Sequence, residues 1–225
     1  EAQVTEFNDT FIDPIFKVMD KNDLSIDDVS QYLYARHAEE ANAAMKEKNA
    51  AFEDNESKSG MSNEDAAEII ADFKAAGKLD VLEDIASAAD KVIERTRKIL
   101  VATGLLSEST VQGYRDQYDY YVPLLGDPSD PEGKIKRKIE EKRFGRGSRA
   151  DNVLINLIVQ HEQTIIRGEA NVLKRVMLKL VEKNPNPDFW TINKTEEEKV
   201  LDPVTDLFVL KETPDQGWLD HVVTV

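Results

Sequence analysis

The chain has 225 residues, enough for one large or two small domains, and its 40% hydrophobic and 32% charged residues provide a core and a wet surface. With no cysteine it holds neither disulfides nor thiolate metal sites, and a net charge of −15 makes it a poor general binder of nucleic acid, whose phosphates attract Lys and Arg. No apolar run approaches the roughly 20 residues of a bilayer span, and no signal-peptide pattern opens the chain. Because the sequence starts at Glu1 and stops at Val225 inside a strand-like pattern, it is expected to be a piece of a longer polypeptide.

Residues 7–22 predict a short helix with Pro14 near its start, where a missing N–H is tolerated. Ser25 and Asp28 form an S-x-x-D capping signal for a second helix, whose apolar face is Ile26, Val29, Leu33, His37, Ala41, Met45 and Phe52. Residues 53–61 have no period and are expected to be a mobile loop. Ser62 with Asp65 repeats the signal and opens a helix that Gly77 ends; Asp80 with Glu83 starts a long one that Gly104 closes. Ser109 with Gln112 is expected to cap a further short helix to about Tyr118.

The helical pattern breaks at Tyr118-Asp-Tyr-Tyr-Val-Pro-Leu-Leu-Gly126, where aromatic and β-branched residues before a proline favour an extended chain. A loop at 126–133 leads to a basic strip. Between Lys134 and Arg149 eight basic residues stand against Glu140 and Glu141, a net of +6 that leaves −21 for the rest. Lys136, Arg137, Lys138, Arg143, Arg146 and Arg149 are its candidate anion or nucleic-acid contacts. The same residues have a plainer use as partners of the chain's own acidic helices. The glycines of Phe144-Gly-Arg-Gly-Ser-Arg149 precede a helix start, either as a hinge or as a place for a phosphate.

Residues 148–182 carry the longest and most apolar helical pattern, capped by Ser148 with Asp151. Val153, Leu154, Leu157, Ile158, Ile165, Ile166, Val172, Leu173, Val176, Met177, Leu180 and Val181 lie almost all the way round it, so it is expected to be a buried axis for the other helices. Beside them Asn152, Asn156, Gln160, Gln163, Arg167 and Asn171 make one polar stripe, uncharged but for Arg167. Its plain reading is a solvated edge or a ladder bonded to neighbouring backbone. Its sharper reading makes Asn152, Asn156, Gln160 and Gln163 a seam for a partner chain. Gly168 in the middle costs about 1 kcal/mol relative to Ala, which a close helix crossing offsets. Past Asn184-Pro-Asn-Pro-Asp-Phe-Trp190, with Phe189 and Trp190 expected to pin the exit, residues 207–211 and 218–225 predict two strands about a Pro214–Gly217 turn. The predicted fold class is therefore mainly α: a multi-helix bundle domain over 1–190 around a long central helix (about 148–182), and a C-terminal extension over 191–225 with a small β-hairpin.

His37 and His161 fall on apolar helix faces and are expected to be core histidines; the alternative sets His37 with Glu40, or His161 with Glu162 or Glu169, to acid–base work. His221 completes the three, none in a metal-ligand spacing. No catalytic residue, metal site or cofactor is assigned.

Leu33-Tyr-Ala-Arg-His37 with Glu40 and Asn42, Ser59-Gly-Met-Ser62, Tyr121-Val-Pro-Leu124, Gly145-Arg-Gly-Ser-Arg-Ala150 and Asn184-Pro-Asn-Pro-Asp188 occur in that order. As an ordered set over about residues 24–190 they resemble the PLxRFG-type domain of large phage and prophage polyvalent proteins. The resemblance implies residence in or near the virion, with possible delivery into the host cytoplasm alongside the DNA, and brings no catalytic residues. The expected function is a structural or interaction module of such a protein. Its partners are other virion proteins or other domains of the same polypeptide, with DNA through 134–149 as the alternative.

Overall fold

In a computed structural model the described residues are 2–48, 59–124, 152–194, 199–201, 208–210 and 221–224. They form a mainly helical protein, a helical bundle as expected. Its helices are α1 (Ala2–Phe7), α2 (Asp13–Lys21), α3 (Ile26–Lys48), α4 (Asn63–Ala75), α5 (Leu79–Ala102), α6 (Glu108–Gln117) and α7 (Val153–Lys183). Four short strands follow: β1 (Thr191–Lys194), β2 (Lys199–Leu201), β3 (Phe208–Leu210) and β4 (His221–Thr224). β1 pairs antiparallel with β4, and β2 with β3. The turn expected at Pro214–Gly217 lies outside the described residues. The chain divides into two compact units, Glu1–Arg95 with Gln117–Glu162, and Thr96–Asp116 with Gln163–Val225.

Local signals set most helix ends. At α3 the Asp28 N–H donates to Ser25 Oγ at 3.0 Å and the Ser25 N–H donates to Asp28 Oδ2 at 2.8 Å, a reciprocal capping box. At α4 the Asp65 N–H donates to Ser62 Oγ at 3.0 Å. Gly77 and Gly104, at φ +69° and +70°, take the left-handed turn after α4 and α5. The amides of Lys78 and Leu105 then reach back to the carbonyls of Phe73 and Leu100. Other starts differ from expectation: the first helical stretch opens at Ala2 and not near residue 7, and α5 begins at Leu79 with Asp80 inside its first turn. α6 is capped by Ser107, whose Oγ accepts from the Thr110 N–H at 3.1 Å, because the helix begins at Glu108, one residue before Ser109. α7 begins at Val153, where the Asn152 carbonyl accepts the first helical bond from Asn156. Ser148, the expected cap, lies outside the described residues. Between α1 and α2, residues Asn8–Ile12 form a π-helical turn just ahead of Pro14. A proline removes an amide and crowds the preceding turn, and the wider π turn absorbs both.

In the first unit the apolar core gathers Phe7, Met19, Val29, Leu33, Leu82, Ile85, Val92, Val122, Leu154 and Leu157. Its most enclosed helix is α3. Val29, Ser30, Tyr32, Leu33, Tyr34, Ala35, His37, Ala38, Ala41, Asn42 and Met45 are all buried, pointing to nearly every side. The apolar run of α7 had marked that helix as the buried axis, but its second half is open: Ile166, Val172, Leu173, Val176, Met177 and Leu180 are exposed. Apolarity alone misjudged both helices. α3 is lined by small, aromatic and hydrogen-bonded polar residues that tolerate enclosure, whereas α7 carries aliphatics on a side that nothing among the described residues covers. Phe189, expected to pin the exit from α7, is exposed as well, while Trp190 is half-buried.

In the second unit α7 is held to the end of α5. The Asn171 Nδ2 donates to the Thr103 carbonyl at 2.9 Å, satisfying a helix-terminal acceptor. A Cβ on Gly168 would stand 2.8 Å from Thr103 Cγ2 and 3.2 Å from its Cβ. The Thr103 hydroxyl donates to the Ile99 carbonyl at 2.6 Å, so the side chain is not free to turn away. Gly168→Ala therefore trades a helix-propensity gain of about 1 kcal/mol for an overpacked contact that costs about 1–3 kcal/mol. Urea unfolding is expected to show a net loss that Thr103→Ala relieves in the double variant; a higher midpoint for Gly168→Ala alone would contradict the close crossing.

Candidate functional site

Two irregular segments, residues 59–63 and 118–121, meet polar side chains of α3. On one side Tyr34 and Asn42, two turns apart, face residues 59–63. The Tyr34 hydroxyl donates to the Ser59 carbonyl at 2.7 Å. Asn42 Nδ2 donates to the Met61 carbonyl at 2.9 Å and to Asn63 Oδ1 at 2.8 Å, while its Oδ1 accepts the Ser59 N–H at 2.7 Å. Ser59 and Met61 are buried, so this end of the expected 53–61 loop is docked; residues 53–58 lie outside the described ones. Seating a loop backbone this way requires a side chain with both a donor and an acceptor, which an amide supplies.

Another side of α3 holds residues 118–121. Glu40 Oε1 accepts the Tyr120 N–H and Oε2 accepts the Asp119 N–H, both at 2.9 Å. His37 Nδ1 lies 2.7 Å from Glu40 Oε1, and its ring meets Tyr118 and Tyr121 edge-on, with centroids 5.2 and 6.0 Å away. One turn back, Arg36 forms a two-pronged ion pair with Asp90 of α5, one arm at 3.0 Å, and its guanidinium lies 4.7 Å over the Tyr120 ring. Burial, with the Glu83 carboxylate adding to it, raises the Tyr32 phenol above its usual value. α3 thus ties two irregular segments and α5 together through polar side chains.

Chemically this arrangement anchors backbone. His37 and Glu40 meet as an acid–base pair requires, yet the imidazole is only 1% exposed and both Glu40 oxygens are committed to main-chain amides. His161 is elsewhere in the core, fully buried with its ring 4.1 Å from that of Phe7. Burial, with the Arg95 charge as a smaller cause, pushes it down to about 4. His37 and His161 are thus each enclosed in their own set of neighbours, as expected of core residues. Among the described residues no group of three or more His, Asp or Glu side chains converges as a metal site, and no helix is long and apolar enough to cross a membrane. A groove of about 340 Å³ lies between α3 and α4, lined by Gln31, Gly60, Met61, Ile69 and three carboxylates, Asp65, Glu68 and Asp72.

The other sequence candidates fall as follows. Lys136, Arg137, Lys138, Arg143, Arg146 and Arg149 lie outside the described residues. Along α7, Asn152 and Gln163 are exposed, Asn156, Gln160 and Arg167 half-buried, and Asn171 buried on Thr103. That stripe is thus a flank that turns inward along the helix. The surface that the sequence reading did not pick out is the aliphatic one on the second half of α7. Its signal was the seven-residue spacing of Ile166, Leu173 and Leu180. Arg36, Tyr34 and Asp90 were also not singled out for a role; only their partners, far away in sequence, reveal one.

Against known protein families, characterised proteins and solved structures, the chain finds no match.

The buried His161 makes stability depend on pH. Unfolded, its imidazole takes a proton near 6.5; folded, only near 4. Between those values the unfolded chain binds more protons, so stability is full above about 6.5 and falls as pH drops toward 4, by on the order of 3 kcal/mol. Urea unfolding across that range should show the loss in the native chain and a shallower dependence in His161→Phe. Parallel pH curves for the two chains would contradict it.

Proposed function

We propose that this chain is a non-catalytic structural and interaction module of a large phage virion-associated polypeptide, held in the particle or ejected with the DNA. The observation that carries an interaction role is the open face of α7, where Ile166, Leu173, Val176, Met177 and Leu180 are each more than half exposed. A contiguous aliphatic surface of this kind costs solvation unless another chain covers it. The phage setting rests on the ordered motifs from Leu33 to Asp188. Among the motif residues Tyr34, Glu40 and Asn42 are spent on holding backbone, which supports a module built to present a surface. Its partners in this reading are other virion proteins or other domains of the parent polypeptide, and its place is the virion with delivery into the host cytoplasm.

The test is made on the phage that encodes it. Mass spectrometry of purified particles is expected to find the parent polypeptide, and Leu173→Glu with Leu180→Glu to lower its incorporation several-fold. Particles without the parent polypeptide, or equal incorporation of the variant, would overturn the reading.

A further inference from the structure

Past Asn171 the open side of α7 carries an ordered chemistry. At about 100° per residue, Val172, Leu173, Val176, Met177 and Leu180 share an arc of about 140°, and each is between 44% and 62% exposed. The arc lies opposite Asn171, which is turned onto Thr103. Lysines border it: exposed Lys179 lies beside one edge, exposed Lys174 beyond the other, and exposed Lys183 follows the last turn. Glu182, the one carboxylate among residues 170–183, lies about 150° from the centre of the arc, and Glu169 precedes the arc by a turn. Residues 172–183 hold Lys174, Arg175, Lys179 and Lys183 against Glu182, a net of +3 that leaves −18 for the rest of a chain of −15.

We infer that this face docks on the surface of a bilayer containing anionic lipids, lying at the boundary between headgroups and acyl chains. The inference rests on the reading of the open α7 face as a docking surface. The occupant has to supply apolar cover and negative charge together. A single partner helix covers a seam of about two aliphatic rows, narrower than this arc. A second copy of the same face would bring its own lysines against the first set. An anionic bilayer meets both needs. Its acyl boundary accepts an aliphatic helix face to a depth of about 5–10 Å, while lysines at the edges bury their stems and reach back to the headgroups. The negative surface attracts the +3 segment and repels the net-acidic remainder, so charge sets which side of the second unit faces the lipid. The helix lies on the surface and does not cross it, since no helix among the described residues is long and apolar enough to span.

The test is flotation of the 225-residue chain with vesicles of phosphatidylcholine alone, or with about one-third phosphatidylserine. The chain is expected to float with the anionic vesicles at low salt, to be released at high salt, and to stay off the neutral ones. Replacing Lys174, Lys179 and Lys183 by Gln should weaken binding about a hundredfold, and Leu173→Glu with Leu180→Glu should abolish it. Circular dichroism is expected to show native helix content in both variants, because all five positions are exposed. Residues 134–149 are also basic, so the face itself is read from a dye. The chain has no cysteine, and Met177→Cys or Glu182→Cys can each carry one environment-sensitive fluorophore. On anionic vesicles the dye at 177 should shift to the blue, as in an apolar medium, and the dye at 182 should not. No flotation at low salt, equal binding to neutral vesicles, or flotation with an unshifted dye at 177 each overturns the proposal. A chain that stays off every vesicle while Leu173→Glu with Leu180→Glu still lowers its incorporation into particles refutes the lipid and leaves the interaction reading standing with a protein occupant.

Discussion

The first unit depends on a small set of polar side chains on α3 that accept and donate to backbone which has no helix or sheet of its own. A buried main-chain amide or carbonyl without a partner costs about 1–3 kcal/mol, so the buried Ser59 and Met61 need partners that a purely apolar helix lacks, while the exposed Asp119 and Tyr120 are tied down through their amides. Asn42 supplies both a donor and an acceptor to the first segment, and the two oxygens of Glu40 supply one acceptor to each of two successive amides in the second. Tyr34 and His37 complete the two anchorages, and Arg36 links the same helix to α5 through Asp90. Van der Waals packing then follows: Met61, Val122 and Leu124 are delivered into the core by the segments these bonds hold.

This also explains why the open half of α7 is the natural place for a partner. Tyr34, His37, Glu40 and Asn42 are occupied within the first unit, so the polar motif residues are committed to the fold. The second half of α7, by contrast, has one narrow line turned inward at Ile165, Gly168, Asn171 and Val181, and elsewhere exposes Ile166, Val172, Leu173, Val176, Met177 and Leu180 among charged residues. A helix that is apolar on several sides belongs among other helices, and the residues within the second unit supply contacts on one side.

Much of the helical framework was legible because its signals are local. The Ser25 and Ser62 caps, the glycines that end α4 and α5, and the existence of a long helix over 153–183 each follow from residues within a few positions of the feature. The errors arose where the deciding partner is distant in sequence. α3 looked like an ordinary amphipathic helix because Asn42 and Glu40 lie off its apolar face, and only Ser59, Met61 and Asp119 make them anchors. α7 looked like the axis because apolar residues were equated with burial. Ser109 with Gln112 reads as a capping box, while the Thr110 N–H in fact donates to the earlier serine, Ser107. Of the site candidates, both histidines behave as core residues, and the polar stripe of α7 ends in a helix-to-helix bond at Asn171.

The claim that polar side chains of α3 hold the irregular segments is tested most directly by hydrogen exchange at three amides outside regular helix and sheet. Ser59, Asp119 and Tyr120 should exchange slowly in the native chain, since their N–H groups are bonded to Asn42 and Glu40. Glu40→Ala should speed exchange at Asp119 and Tyr120 by about 10- to 100-fold, with Asn42→Ala doing the same at Ser59 and each leaving the other segment protected. Amides that exchange freely in the native chain, or that keep their protection in the variants, would contradict the account.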